Sequence, residues 1–443
     1  MILLRYDRGS LFIRGEVGTP YGQWDPRVDA FRAMAIYYPE VLAFLERSRI
    51  PYRDEAANPL PVPTLSSQVK LRTYQKAALD AWFDAGGRGV IVLPTAAGKT
   101  FVALKAIEKL NVPTLVVVPT LDLLDQWRRI LSHEFGMEVG AYGGGDDTLK
   151  PLTVSTYDSA YIRAEQLGDK FMFIIFDEVH HLPAPSYSQI AEMYIAPHRM
   201  GLTATYERED GGHYDLPRLV GGLVYQLGVD ALAGKHLSPY THEKILVDLT
   251  SDEQTRYQKE YAVFTNYLRR KRVRLRSPYD FQRFIMRTGS DPEAREALLA
   301  RNRALKIALN SEAKIKALGE FLNVYSKEKI LIFTRYNQLV YRISRIFLIP
   351  AITHQTPRAE RKELLEKFKA GEYRAIVTSQ VLDEGVDVPD ASVGFILGGT
   401  GSSREYIQRL GRILRKKYGK QARLIELVAR ETVETRISQR RHR

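Results

Sequence analysis

The feature that most constrains this chain is an alternation that begins near residue 68. Short apolar runs, GVIVLP (89–94), TLVVVP (114–119), LTVST (152–156) and FMFIIFDE (171–178), are separated by segments with helical spacing. A run that is apolar at every position suits a strand covered on both faces, and strands alternating with helices build parallel sheets. The helix after the first run, KTFVALKAIEKL, places Phe101, Leu104, Ile107 and Leu110 at helical spacing and ends at Asn111 and Pro113. The alternation returns in KILIFT (329–334), RAIVTS (374–379) and SVGFILG (392–398). The expected fold class is α/β, with two parallel-sheet domains in tandem.

Around this core the composition shifts. Residues 1–60 mix short alternating runs with a helical pattern and read as a small α+β domain, followed by the proline-bearing connection NPLPVPTLSS at 58–67. The first sheet domain is expected over 68–228 and the second over 229–443, with a mostly helical, charged insertion at 251–310. That insertion carries Arg269, Arg270, Lys271, Arg272, Arg274 and Arg276, six cations within eight residues. Across the chain 65 Lys and Arg outnumber 52 Asp and Glu, a net charge of +13 that favours polyanionic partners. The absence of cysteine excludes disulfides, thiolate zinc sites, iron–sulfur clusters and cysteine nucleophiles. No apolar run approaches the roughly 18–20 residues that cross a bilayer. The opening MILLRYDRGS lacks the apolar core of a secretory signal, so no membrane and a cytoplasmic location are expected.

Two strand ends carry the chemistry. In LPTAAGKT the small residues Thr95, Ala96, Ala97 and Gly98 let the backbone curl so that N–H groups face phosphate oxygens, with a helix N-terminus behind them. Lys99 then reaches the β- and γ-phosphates, and the Thr100 hydroxyl can ligate Mg²⁺. The general G-x-x-x-x-G-K-[ST] pattern has glycine where this chain has Leu93, so the match is partial. The second end is FDEVHH. Asp177 closes a strand at the edge where open α/β sheets hold ligands, and is expected to hold Mg²⁺ through water. Its neighbour Glu178 can orient and deprotonate an attacking water. Together the two stretches point to ATP hydrolysis with Mg²⁺.

A third element is SSREYIQRLGRILRKK (402–417). Ser402 and Glu405 form a helix-start signature, and Arg409, Arg412 and Arg415 recur every three residues on one face. Arg412 and Arg415 are the expected arginine fingers, reaching a γ-phosphate from the second sheet.

Motif by motif the chain resembles superfamily-two helicases, and more closely the XPB family of DNA repair and transcription helicases, over about residues 68–430. LRTYQKAAL (71–79) is similar to the family's adenine-side motif, which implicates Gln75 and Arg72. LPTAAGKT with leucine first is the family's usual form, and VVVPTLDLLDQW (116–127) resembles its first strand-contacting motif. FDEVHH matches the DExH box, implying a coupling role for His180, and GLTATYERED (201–210) contains the Thr203–Thr205 coupling motif. Arg208, Glu209 and Asp210 resemble the RED element, implying a part in strand separation. SQVLDEGVDVPDA (379–391) implies that Gly385 and Asp387 approach the nucleotide, and QRLGRILR adds Gln408. The resemblance implies two RecA-like domains, with 1–60 as a damage-recognition-like domain and 251–310 as a thumb that binds DNA. The implied activity is ATP-dependent 3′→5′ opening or remodelling of duplex, fork or bubble DNA in nucleotide excision repair. The implied assembly is a monomer or a heterodimer with a nuclease. The same motifs serve motors that translocate on duplex DNA without separating strands.

Overall fold

The computed structural model describes residues 1–15, 18–208, 210–232, 238–379, 391–398 and 421–441. The chain forms two compact units, Met1–Gly228 and Val229–Arg443.

The first unit opens with a small sheet of β1 (Ile2–Asp7), β2 (Ser10–Arg14), β3 (Gln23–Asp25), β4 (Ala30–Met34) and β5 (Tyr52–Glu55). Their order is β3-β4-β2-β1-β5, antiparallel except for β1 with β5. Leu4, Leu11 and Ile13 alternate inward from the strands, and the helix Tyr38–Arg47 closes over them with Val41 and Leu45. Ile195, from the α/β part of the same unit, is buried in this core. The Tyr6 hydroxyl lies 3.0 Å from both the Ala164 and Met193 carbonyls, and Arg88 pairs with Glu40 at 3.1 Å. A β-carbon at Gly168 would collide with Tyr6 Oη and the Met193 carbonyl, so glycine is what allows this close approach.

The rest of the unit is one eight-stranded sheet. Its strands are β6 (Arg88–Val92), β7 (Thr114–Val118), β8 (Gly140–Gly143), β9 (Asp146–Thr148), β10 (Leu152–Thr156), β11 (Phe173–Asp177), β12 (His198–Thr203) and β13 (Leu223–Gln226). The order is β13-β6-β12-β11-β7-β10-β8-β9, and every pair is parallel except β8 with β9. Strands β7, β10 and β11 are buried at every position; β7 and β11 are accordingly apolar except for Thr114 and Asp177, whereas β10 alternates Leu152 and Val154 with buried hydroxyl residues.

The helix Lys99–Leu110 departs from its sequence-based face. It buries Val102, Ala103, Leu104, Ala106 and Ile107, whereas Phe101 is 46% exposed. Alanines on the inner face let the helix lie close to the sheet, and the larger Phe101 turns outward beside the loop before it.

The second unit holds β14 (Tyr240–Val247), β15 (Ile330–Phe333), β16 (Ala351–Ile352), β17 (Ala375–Thr378), β18 (Val393–Ile396) and β19 (Ala422–Ala429). They form an all-parallel sheet in the order β14-β19-β18-β15-β17-β16. Between β14 and β15 stand the helices Ser251–Arg270, Pro278–Arg287 and Pro292–Leu309. Each starts on a side-chain cap: Thr250 accepts from the Glu253 N–H, Ser277 from the Asp280 N–H, and Asp291 from the Glu293 and Ala294 N–H groups. Phe264, Tyr267 and Phe284 give the three helices a core of their own. Among the described residues no helix is long and apolar enough to cross a membrane.

Candidate functional site

Strand order brings the two predicted strand ends together. β12 lies between β6 and β11, with Thr203 level with Val92 and Leu202 level with Asp177. The lysine loop after β6, the carboxylates after β11 and the threonines after β12 therefore share one edge of the sheet. This is the carboxyl edge where parallel sheets bind ligands.

The loop is tightly curled. Ala96 and Gly98 both have positive φ, 66° and 79°. A side chain at Gly98 would strike the Gln75 amide, so the conformation and the lack of space both call for glycine. Gln75 is 2% exposed, and both ends of its amide serve the protein. Its Oε1 accepts from the Arg72 N–H at 2.9 Å, and its Nε2 donates to the Ala97 and Gly98 carbonyls at 2.9 and 3.4 Å. Tyr74 Oη adds a bond to the Ala97 carbonyl at 2.8 Å. In this geometry Gln75 braces the loop, and the Arg72 side chain is exposed beside it. Lys99 Nζ donates to the Leu93 carbonyl at 3.1 Å, while Leu93 N–H bonds the Thr203 carbonyl at 3.0 Å. Thr95 Oγ1 is buried without a hydrogen-bond partner among the described residues.

Asp177 is 8% exposed. Its Oδ2 accepts from Trp127 Nε1 at 2.8 Å and its Oδ1 from the Glu178 N–H at 3.0 Å. Burial holds its carboxyl above the ordinary range, opposed by the Trp127 bond and by the nearby Lys99 charge. Glu178 sits at φ 49°, a left-handed turn that swings its side chain sharply off the strand line. Its Oε2 is buried 3.5 Å from His180 Nδ1 and has no hydrogen-bond partner among the described residues. A buried oxygen without a donor is costly unless something else supplies one.

His180 connects the carboxylates to the threonines. Thr203 Oγ1 donates to the Thr205 carbonyl at 2.8 Å, so the 3.2 Å contact from His180 Nδ1 is a bond donated by the ring. In the neutral form of the ring this bond would require the proton on Nδ1. Arg208 turns back to the same place: it donates to the His180 carbonyl and pairs with Asp210 through Nε at 2.9 Å. That pairing holds the Asp210 carboxyl well below its usual range. Arg208 is therefore packed against the FDEVHH turn rather than displayed at a loop tip. Glu209 lies outside the described residues, as do Gly385, Asp387, Gln408, Arg412 and Arg415 and the helix expected at 402–417.

Thr100 and Asp177 supply oxygen ligands next to Lys99, and Thr95 and Glu178 add buried oxygens without partners among the described residues, so the site fits a nucleotide polyphosphate with a hard divalent cation.

The six cations of 269–276 are exposed at the end of the first insertion helix and in the turn after it. Arg270 and Lys271 pair with Glu293 at 2.9 and 3.0 Å, and Arg272 sits at φ 51°. Packing adds two cations that the run in sequence does not contain. Arg283 and Arg287, on the next helix, line a cavity of about 370 Å³ with Lys271, Arg272 and Arg274. The one carboxylate lining it, Asp280, already accepts from the Arg276 and Ser277 N–H groups at 3.0 and 2.9 Å. At the carboxyl ends of β15 and β17 a second cavity, about 480 Å³, is lined by Lys306, Arg335, Asn337 and His354. No motif in the sequence marks any of these four.

A lysine loop and a carboxylate on one parallel sheet, followed by a second parallel sheet, define the class: a RecA-like helicase motor. The sequence matches the type III restriction enzyme res subunit over residues 68–208 and the helicase conserved C-terminal domain over 313–417. It also matches the xeroderma pigmentosum group B helicase damage recognition domain over 4–56. The DNA 3'-5' translocase XPB2 of Sulfurisphaera tokodaii is 46% identical over 441 residues, covering 100% of both chains. The chain belongs to the XPB family of helicases. The DNA 3'-5' helicase XPB of Mycobacterium tuberculosis is 30% identical over 88% of this chain and 66% of its own. The general transcription and DNA repair factor IIH helicase/translocase subunit XPB of Schizosaccharomyces pombe is 27% identical over 88% of this chain and 47% of its own. In fold, the helicase domain of Pyrococcus furiosus Hef matches with a TM-score of 0.54 at 19% identity, over 84% of this chain and 98% of that one.

Proposed function

We propose that the chain is an ATP-driven DNA motor that moves 3′→5′ and opens or remodels duplex DNA, in nucleotide excision repair. The observation that carries this reading is the meeting of Lys99, Asp177, Glu178 and Thr203 at one sheet edge, with buried oxygens on Thr95 and Glu178 that have no hydrogen-bond partner among the described residues. Lys99 binds the phosphates, and Trp127 orients Asp177 through its Oδ2. Glu178 accepts a proton from the attacking water. Thr100 and Asp177 would hold Mg²⁺, which would supply positive charge against the phosphates. On this reading Arg412 and Arg415 serve as arginine fingers and Gly385, Asp387 and Gln408 as nucleotide-binding residues, as the family resemblance implies.

His180 passes the state of Glu178 to Thr203 and Thr205, and Arg208 ties the loop at 208–210 to the same turn. DNA phosphates are gripped by the cation group of the insertion, extended to Arg283 and Arg287, and by Lys306 and Arg335 at the second sheet. A nuclease partner belongs to this proposal through the family resemblance, and co-purification tests it.

Translocation on duplex DNA without strand separation is the second reading. The inward-turned Arg208 favours it, because a side chain bound to the His180 carbonyl is not presented to DNA as a wedge. Strand displacement on tailed duplexes of both polarities, run beside triplex displacement and ATPase stimulation by DNA and RNA, separates the readings. The proposal expects DNA-stimulated ATPase with displacement from the 3′-tailed substrate. Triplex displacement alone favours the second reading, and ATPase indifferent to DNA overturns both.

A further inference from the structure

Among the cavities outside the strand-end site and the cation groups, one is lined by aromatic rings and arginines together. It opens on the N-terminal domain, about 640 Å³ in size, and its lining includes Tyr21, Trp24, Arg27, Arg32, Met34 and Tyr37. That volume lies in the roughly 300–1,000 Å³ range of small-ligand sites. Trp24 stands on the short edge strand β3, opposite Phe31 on β4. Its indole meets the Phe31 ring edge-on at 5.2 Å and 68°, which fixes its plane, yet it remains 49% exposed. Tyr21 and Tyr37 stack at 5.8 Å and 28°, and Met34 is 42% exposed. Large aromatic surface held rigid and left in water marks a binding surface.

The charges here are arranged for an anion. Arg27 donates to both Asp25 oxygens at 2.9 and 2.8 Å, and Arg32 adds a bond at 3.2 Å. Two guanidiniums on one carboxylate leave a surplus positive charge. Arg32 also keeps a buried Nε–H with no acceptor among the described residues. Flat apolar faces, a thioether and one surplus guanidinium match a single unstacked nucleobase with its adjoining phosphate. An apolar peptide segment would use the aromatic faces but gain nothing from the surplus charge.

We propose that this cavity binds one nucleobase that has left the DNA stack, with Trp24 as its stacking platform and Arg27 and Arg32 on the flanking phosphate. The proposal rests on the DNA reading above and names the DNA feature that the N-terminal domain takes.

The test uses the full chain without ATP, so that failure of the motor reading leaves it interpretable, and Lys99→Ala serves as a second background. The probes are two duplexes of one sequence carrying 2-aminopurine, either paired or unpaired within a small bubble. The wild-type chain should bind the unpaired probe more tightly and quench its fluorescence. Trp24→Ala should lower affinity for the unpaired probe about tenfold or more, with paired-duplex affinity unchanged within about twofold. Trp24→Phe should keep most of the preference, which a folding defect would not spare. Arg27→Ala should reduce the salt slope of unpaired-probe binding by about one ion. Equal loss on both probes, or a Trp24→Ala chain that still prefers and quenches the unpaired probe, overturns the proposal. If Trp24→Ala leaves all DNA binding intact, the groove is left to a protein segment.

Discussion

Each half of the chain sets a lysine near a buried carboxylate, and the two halves treat the pair in opposite ways. In the second unit Lys314 Nζ lies 2.6 Å from both Glu434 oxygens and 2.8 Å from the Leu397 carbonyl, and Glu434 also accepts from the Ala429 N–H. Both side chains are out of water, at 0% and 1% exposure. In the first unit Lys99 and Asp177 sense each other's charge, yet among the described residues no direct ion pair joins them. Lys99 leans on a carbonyl and Asp177 on an indole and a backbone N–H. A closed pair holds a fold together. An open one keeps donors and acceptors for a third, charged participant.

The largest effect should come from breaking the closed pair. Lys314→Met removes the ammonium that lies 2.6 Å from the buried Glu434 carboxylate and should cost about 3–5 kcal/mol in denaturant unfolding of the full chain. Lys314→Met with Glu434→Leu should recover part of that loss, since no charge is then buried, although the Leu397 carbonyl and the Ala429 N–H lose their side-chain partners. Breaking the open pair should act elsewhere. Lys99→Ala should lower DNA-stimulated ATP turnover about 10²–10³-fold in a steady-state assay while leaving the unfolding midpoint nearly unchanged. A large loss of stability there would make the first pair structural too, and the contrast would fail.

The smallest effect has a sign that distinguishes the pairs. Burial raises the folded Asp177 carboxyl above its unfolded value, so ionising it near neutral pH disfavours the folded state. Asp177→Asn should therefore raise Tm by about 2 °C at pH 7 while removing ATPase. The gain should fade as pH falls into the ordinary carboxylate range, where Asp177 is protonated in both states. Glu434→Gln should lower Tm at pH 7, and a rise there would erase the distinction.

The difference between the pairs also explains what the amino-acid sequence revealed. Lys99 and Asp177 follow uninterrupted apolar strands, so local pattern alone marks them. Lys314 and Glu434 lie 120 residues apart, and only the packing of a helix against the end of β19 joins them. The two sheets were legible for the same local reason. The outward turn of Phe101 was not, because small residues decided which face approached the sheet. Trp127 was visible inside a motif resembling a strand-contacting one, but its bond to Asp177 depends on tertiary placement. Arg283 and Arg287 join the basic run only because two helices fold back on each other. Arg199 carries no motif signal: it is fully buried and donates to the carbonyls of Ala191, Tyr194, Ala196 and Leu219.

The seam at Gly168 has a mechanical consequence. Tyr6, Glu40 and Ile195 weld the N-terminal sheet to the domain that carries the lysine loop. Whatever that sheet grasps is then carried as cargo at a set offset from the engine, like the fixed jaw of a caliper. Footprints taken at successive steps of travel should keep that offset to the nucleotide.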